Sequence, residues 1–313
     1  MLQKKILMSA ETSINNKSRF NVYLTPSLIF FGIIIALILS LQNEEASVFP
    51  KFISDQFTFT AWVNEGEDYL RKHFRWFTKI IANYIKSGYY FIEDFLIDSP
   101  WILVVSILFL PCLATGGLGL GLYSLFTMYF WGATGMWDES LQTVGLMGLS
   151  VTLCVFFGVI LGTLCSQSNK FLNFMSPILD TMQVMPAFVY LFPAVFFFGI
   201  GGAPAILATM IYAMPPIIRL TNSGIRQVPA ETIESATSFG SNKLQLLFKI
   251  KIPLSLPSIM MGVNQVIMMA LALVVLACFI GAEGIGGQVW LAIRNLDVGW
   301  AMEGGLCILF MAI

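Results

Sequence analysis

Few side chains in this 313-residue chain could carry out bond-making chemistry. His73 is the sole histidine, so no histidine-based relay or metal set can be assembled. The five cysteines (Cys112, Cys154, Cys165, Cys278 and Cys307) lie in or beside apolar runs, and none forms a CxxC pair. That pattern argues against a disulfide framework or a zinc site. There is no GxxxxGK[ST] phosphate loop, no HExxH, no Ser/His/Asp set and no paired carboxylates within an apolar run. What remains is chemistry of contact. Between Ile225 and Pro257 the chain gathers Arg226, Glu231, Glu234, Lys243, Lys249 and Lys251 in an otherwise greasy half. A carboxylate in Glu234's position can meet an arginine or a backbone N–H of another protein. Ser235 and Ala236 beside it are small enough to permit close approach.

The elements around Glu234 must hold it out. Pro229 opens a short helix, ETIESATSF, and Gly240 ends it as a left-handed cap residue would. Ser241 can cap a second helix, NKLQLLFKI, that runs to Pro253, and Pro257 marks entry to the next apolar run. The reading is helix–turn–helix.

Composition says where that loop sits. The chain is 57% hydrophobic and 11% charged, with mean hydropathy +0.79. Soluble domains carry roughly 25% charged residues, so the chain is predicted to be an integral, all-α membrane protein embedded in a lipid bilayer. A net charge of −1 gives no nucleic-acid signal. Uncharged runs at Phe20–Asn43, Ser99–Trp137, Ser140–Asn169, Thr181–Ile218 and Ile252–Ala282 reach the ~20 residues of a crossing. The second and fourth are long enough to split into hairpins at Gly116–Gly119 and Gly199–Pro204. That predicts seven full spans and an eighth beginning near Trp300, cut short at Ile313. Gly158 and Gly162 form a GxxxG pair that would let another helix approach closely.

Lys and Arg in short loops mark the cytoplasmic side. Lys4, Lys5, Lys17 and Arg19 put the N-terminus inside, as Arg219, Arg226, Lys243, Lys249 and Lys251 do for the charged loop. Acidic Asp138-Glu139 falls outside. Residues 1–98 are read as a tail, a first span and an external amphipathic helix. Its apolar stripe is Leu70, Phe74, Phe77, Ile81, Tyr84, Ile85, Ile92 and Phe95, bent at Gly88 and lying along the membrane surface. Residues 99–313 form the transport core, with the charged loop at 225–257.

Glu234-Ser235-Ala236, Gly240 and Ile250-Lys251-Ile252-Pro253 resemble the EAA signature of bacterial ABC importer permeases, with Ser235 replacing Ala and Ile252 replacing Leu. In that family the loop is the coupling helix seated in the ATP-hydrolysing subunit. The segments Leu179–Pro193, Phe198–Gly201, Met214–Thr221 and Gly281–Gly286 are similar to permeases for glycine betaine, proline betaine and related osmoprotectants. The resemblance implies a type I importer permease of the bacterial inner membrane. It would act as a homodimer with a separate ABC ATPase, which holds ATP and Mg, and a substrate-binding protein. It would bind no cofactor and catalyse no reaction itself. Coupling falls to Glu234, Ser235, Ala236, Gly240, Ile250 and Pro253. Pro186, Phe188, Tyr190 and Phe192 are candidates for the path, because aromatic faces attract a quaternary ammonium. Glu283, in the Gly-rich external loop, is a candidate gate or binding-protein contact. Two alternatives stay open: a permease for an amino acid or choline, and a channel or mechanosensitive scaffold.

Overall fold

The computed structural model describes residues 28–38 and 59–313. The predicted basic tail, with Lys4, Lys5, Lys17 and Arg19, lies outside the described residues. The chain divides into two compact units, Met1–Leu70 and Arg71–Ile313. In the first, α1 (Leu28–Ile38) is a short apolar helix. The helix α2 (Phe59–Asp98) reaches into the second unit.

The rest of the second unit is also helical. It contains α3 (Trp101–Ala133), α4 (Trp137–Gln167), α5 (Asn169–Val184), a 3-10 turn (Ala187–Tyr190), α6 (Leu191–Phe198) and α7 (Gly202–Arg226). Then come α8 (Ala230–Ser238), α9 (Lys243–Leu246), a π-helical turn (Leu247–Lys251), α10 (Ile252–Leu276), a second 3-10 turn (Ala277–Ile280), α11 (Ile285–Arg294) and α12 (Val298–Ala312). Among the described residues, four helical stretches are long and apolar enough to cross a membrane, or five if α5 and α6 count as one broken span.

The first predicted span, Phe20–Asn43, lies largely outside the described residues, and elsewhere the division differs from the expected one for identifiable reasons. α3 does fold back at the predicted glycines. Gly117 takes φ 69° and ψ −166°, conformations that a residue with a Cβ resists, and Gly121 returns against Phe109 and Leu113. Each arm is shorter than the ~20 residues of a full crossing. The run read as one span from Thr181 breaks at Met185-Pro186, where both residues turn extended, and the two helices meet at 111°. Proline disfavours helical geometry in the residue before it. After Ala282 the expected loop contains a helix of its own, α11, and Asp297 caps α12 through the Trp300 amide at 3.0 Å.

The centre of the unit is α7, most of whose residues are buried. Its neighbours α4 and α10 approach through glycine. Gly158 lies against Ile217, and Gly162 against Thr221 and the Ile218 carbonyl, as the GxxxG spacing predicts. From the other side Gly262 meets Ile217, and Gly224 of α7 itself meets Ser255 and Ser258. Leu179, Ile217, Ile218 and Val266 fill the core between these helices.

α2 buries a second face, beside the expected stripe. Its C-terminal half buries Tyr89, Glu93 and Leu96, with Ile85 and Ile92 half-buried beside them, while Phe74, Phe77, Tyr84 and Phe95 are exposed. Gly88 sits inside continuous helix against Leu149 of α4. Contact with α4 and α7 selects this face, and hydrophobicity alone could not distinguish it from its neighbour.

Candidate functional site

The charged loop is built much as its sequence dictates. Pro229 stands at the N-cap of α8 with extended backbone, and α8 then runs for nine residues. Gly240 takes φ 84°. The Ser241 amide donates to the Ala236 carbonyl at 3.1 Å, and the Gly240 amide to the Thr237 carbonyl at 2.9 Å. These are the two hydrogen bonds of a Schellman stop, which satisfies carbonyls left over at the helix end. The Thr237 and Ser238 hydroxyls both donate to the Glu234 carbonyl. The Glu234 side chain remains exposed.

Two details differ from the expectation. The cap of the following helix is Asn242. Its side chain accepts from the Gln245 amide at 2.8 Å, while the Gln245 side chain accepts from the Asn242 amide at 3.0 Å, a reciprocal capping box. Ser241 is used up in the Schellman turn. Nor does the second helix stop at Pro253; it continues through Leu247–Lys251 into α10. Pro253 has no N–H for the Lys249 carbonyl, and its ring would crowd that carbonyl in a regular helix. The π turn, in which the Ile252 amide reaches back to Leu247, widens the helix just ahead of it. Ile250 and Pro253 therefore sit at the entrance to a membrane-length helix, on helical backbone that is continuous into α10.

Among the described residues nothing covers α8, which has no buried residue. Phe239, at its C-cap, is 92% exposed, and Leu244 and Phe248 follow at 67% and 63%. A large exposed ring thus stands beside the exposed Glu234 carboxylate and the small pair Ser235-Ala236. The sequence gives no signal for Phe239 beyond its place at the end of a helix. Its 3.6-residue phase places it off any face that packs.

The C-terminal end of α7 is locked beside this loop. Arg226 donates to the Asn222 side chain at 2.8 Å, the Asn169 side chain at 2.7 Å and the Cys165 carbonyl at 2.8 Å, tying α7 to the α4–α5 junction. Arg219 pairs with Asp180 of α5. Arg226 and Arg219, read from the sequence as topology markers, are structural ties.

The four path candidates do not stay together. Phe188 and Phe192 stack edge-to-face at 5.3 Å, and Phe188 meets Phe279 at 5.6 Å, which meets Trp290 at 4.7 Å. All four rings are exposed. Tyr190 turns the other way. Its ring faces Tyr212 at 5.7 Å and its hydroxyl donates to the Met182 carbonyl at 2.6 Å, across the bend that Pro186 makes. Phe279 and Trp290 were missed because they lie far along the chain.

At the far end of α4, the glycine-rich loop is pinned down. Glu283 accepts from the Gln142 side chain at 2.8 Å. Thr143 accepts the Ile285 amide at 2.9 Å, and Glu139 accepts from the Gln288 side chain at 2.6 Å. Gly284 takes φ 126° directly against the Thr143 hydroxyl, an approach and a conformation that only glycine permits. Glu93 and Tyr89 of α2 lie beside this loop, at 5% and 3% exposure. Burial, with added repulsion from Glu283 and Asp94, pushes the Glu93 pKa above its ordinary value, although the polar Tyr89 and Gln142 side chains nearby oppose the shift. Burial and then the Glu93 charge push the Tyr89 phenol up.

Comparison with known proteins relates the chain to one family. Residues 155–313 match the family described as "Binding-protein-dependent transport system inner membrane component". The chain is 38% identical over 273 residues to the glycine betaine/proline betaine transport system permease protein ProW of Escherichia coli (strain K12), covering 86% of this chain and 76% of that one. It is 45% identical over 195 residues to the glycine betaine transport system permease protein OpuAB of Bacillus subtilis (strain 168), covering 62% and 69%. A chain of the MetNI methionine ABC transporter, in an inward-facing structure, aligns with TM-score 0.49 at 18% identity, covering 54% of this chain and 86% of that one. With its several membrane-length helices and these relatives, the chain belongs to the family of inner membrane components of binding-protein-dependent transport systems.

Proposed function

We propose that this chain is the permease subunit of an ABC importer and carries a small quaternary-ammonium solute of the glycine betaine class into the cell. The observation that carries the reading is α8, a rigidly capped and uncovered helix presenting Glu234, Ser235, Ala236 and Phe239 at the mouth of a membrane helix. A partner ATPase receives these residues in a groove, with Phe239 as the buried anchor, and ATP and Mg reside there. Closure of that ATPase moves α8. The stop at Gly240 and the unbroken run through Ile250 and Pro253 pass the motion to α10, which packs on α7. That supplies the two-state element which alternating access requires.

The relatives' names motivate the solute class, and the aromatic run supplies chemistry for it. Phe192, Phe188, Phe279 and Trp290 offer ring faces to a quaternary ammonium. Pro186 bends the chain to place them. Tyr190 supports this wall from behind. The exposed rings find their other side in a second permease copy, so the working unit is a homodimer. The Glu283 loop faces outward, where the substrate-binding protein docks, and the N-terminus is cytoplasmic. Residues 1–98 are an N-terminal tail, a first span and an external amphipathic helix, and residues 99–313 are the transport core.

Crosslinking tests the coupling reading. In the full complex, Phe239→Cys should form a crosslink with the ATPase that depends on nucleotide state. Absence of any such crosslink in every nucleotide state would remove α8 from the interface.

A further inference from the structure

Beside the transport machinery, and independent of its reading, lies a cavity of about 350 Å³ between α2 and the turn into α7. One face of α2 supplies Arg75, Lys79, Asn83 and Lys86, at successive helical steps. The opposite wall is Phe197, Phe198 and the first turn of α7, Gly201 to Pro204. Three cations therefore line one small volume. Arg75, Lys79 and Lys86 have no carboxylate partner among the described residues, and Lys86 lies 5.5 Å over the Tyr90 ring. Across from them the N-cap of α7, Gly201, offers no side chain to its helix. The amides of Gly202 and Ala203 find no acceptor among the described hydrogen bonds. A 25-residue helix thus turns its positive end toward the same space. Tyr89, whose ring packs on Gly202, lines the floor.

We propose that this cavity binds the phosphate of an anionic lipid headgroup. Cations and free amides converging on one volume are the recognition chemistry of a phosphoryl group. The lipid source is favoured because Trp76, Tyr84 and Phe91, on the adjoining face of α2, are exposed rings of the kind that settle at a membrane–water interface. Basic residues at that level attract anionic lipids.

Native mass spectrometry on the purified full chain tests the site, with dioctanoyl phosphatidylglycerol, dioctanoylglycerol and inorganic phosphate as probes. The wild type should retain one phosphatidylglycerol, which millimolar inorganic phosphate displaces, and should not retain dioctanoylglycerol. Replacing Arg75, Lys79 and Lys86 together by Gln should weaken retention by about tenfold or more. Lys79→Arg should leave it nearly unchanged. Asn83→Trp keeps every charge but fills the space, and should weaken it as well, which separates a pocket from mere surface charge. Undiminished phosphatidylglycerol retention in the triple-Gln and Asn83→Trp chains would overturn the proposal. So would equal retention of dioctanoylglycerol, or displacement by glycine betaine, which would make the cavity a solute site. Loss of binding-protein capture in the triple-Gln chain, with lipid retention intact, would assign the face to protein docking and overturn it too.

Discussion

Replacing Gly240 by valine isolates the stop of α8 from everything else in the molecule. Gly240 holds φ 84°, and the two closing hydrogen bonds of the helix run through its own amide and that of Ser241. A side chain in the left-handed region costs roughly 1–2 kcal/mol, and β-branching makes Val worse than Ala there. Among the described residues no atom lies within 4 Å of a Cβ built at Gly240, so the penalty is conformational and involves no clash. Little opposes it, because α8 has nine residues and buries none, and helices below ~12–15 residues are marginal without packing. One to two kcal/mol lowers the population of the capped form about 5–30-fold. ATP-dependent uptake by vesicles carrying the reconstituted complex should fall by a comparable factor, with insertion into the membrane unchanged. Gly240→Asn, which tolerates the left-handed region, should recover most of it. Uptake by Gly240→Val within about twofold of the wild type, at equal permease content, would refute the argument that the Schellman stop positions the docking surface.

Four further outcomes are expected. Glu234→Ala should leave basal ATP hydrolysis by the partner in place while lowering uptake, read as the ratio of solute moved to ATP consumed. Gly162→Leu forces a side chain into Thr221 and the Ile218 carbonyl and should destabilise the chain by about 1–3 kcal/mol, seen as a lowered Tm in detergent. Arg226→Ala removes three hydrogen bonds at the end of α7 and, since the residue is exposed and screened, should cost about 1–2 kcal/mol in the same melt. Glu93 binds its proton more tightly folded than unfolded, so the folded form is favoured at low pH and loses that advantage as pH rises through the raised pKa. Tm should fall as pH climbs above about 4.5, and Glu93→Gln should flatten that slope.

How far the sequence carries depends on what each element answers to. The α8 loop was legible because its signals are local: Pro229 opens, Gly240 closes, and the Glu234 carboxylate has nothing to do inside. The Gly158/Gly162 pair was legible for the same reason, since a small-residue stripe has one use in a helix pair. The buried face of α2 was not legible. Two neighbouring stripes of similar hydrophobicity compete there, and contact with Gly202 and Leu149, distant in sequence, chooses between them. The aromatic run was half legible. Phe188 and Phe192 are four residues apart, but Phe279 and Trp290 join them only through the packing of α10 and α11. Tyr190 was misgrouped because alternation along the chain says nothing about a bend, and the bend at Pro186 turns it inward to Met182. The span count suffered likewise, since apolar length cannot tell a crossing from a helix broken at 111°.

The central claim is that another protein's ATP drives this chain through α8. The most direct measurement is uptake of labelled glycine betaine into vesicles reconstituted with the permease, its ATPase and its binding protein, with each component and ATP omitted in turn. Uptake should require all of them and vanish with any omission. Flux down a solute gradient through the permease alone, unchanged by ATP or by the ATPase, would contradict the account and leave a channel in its place.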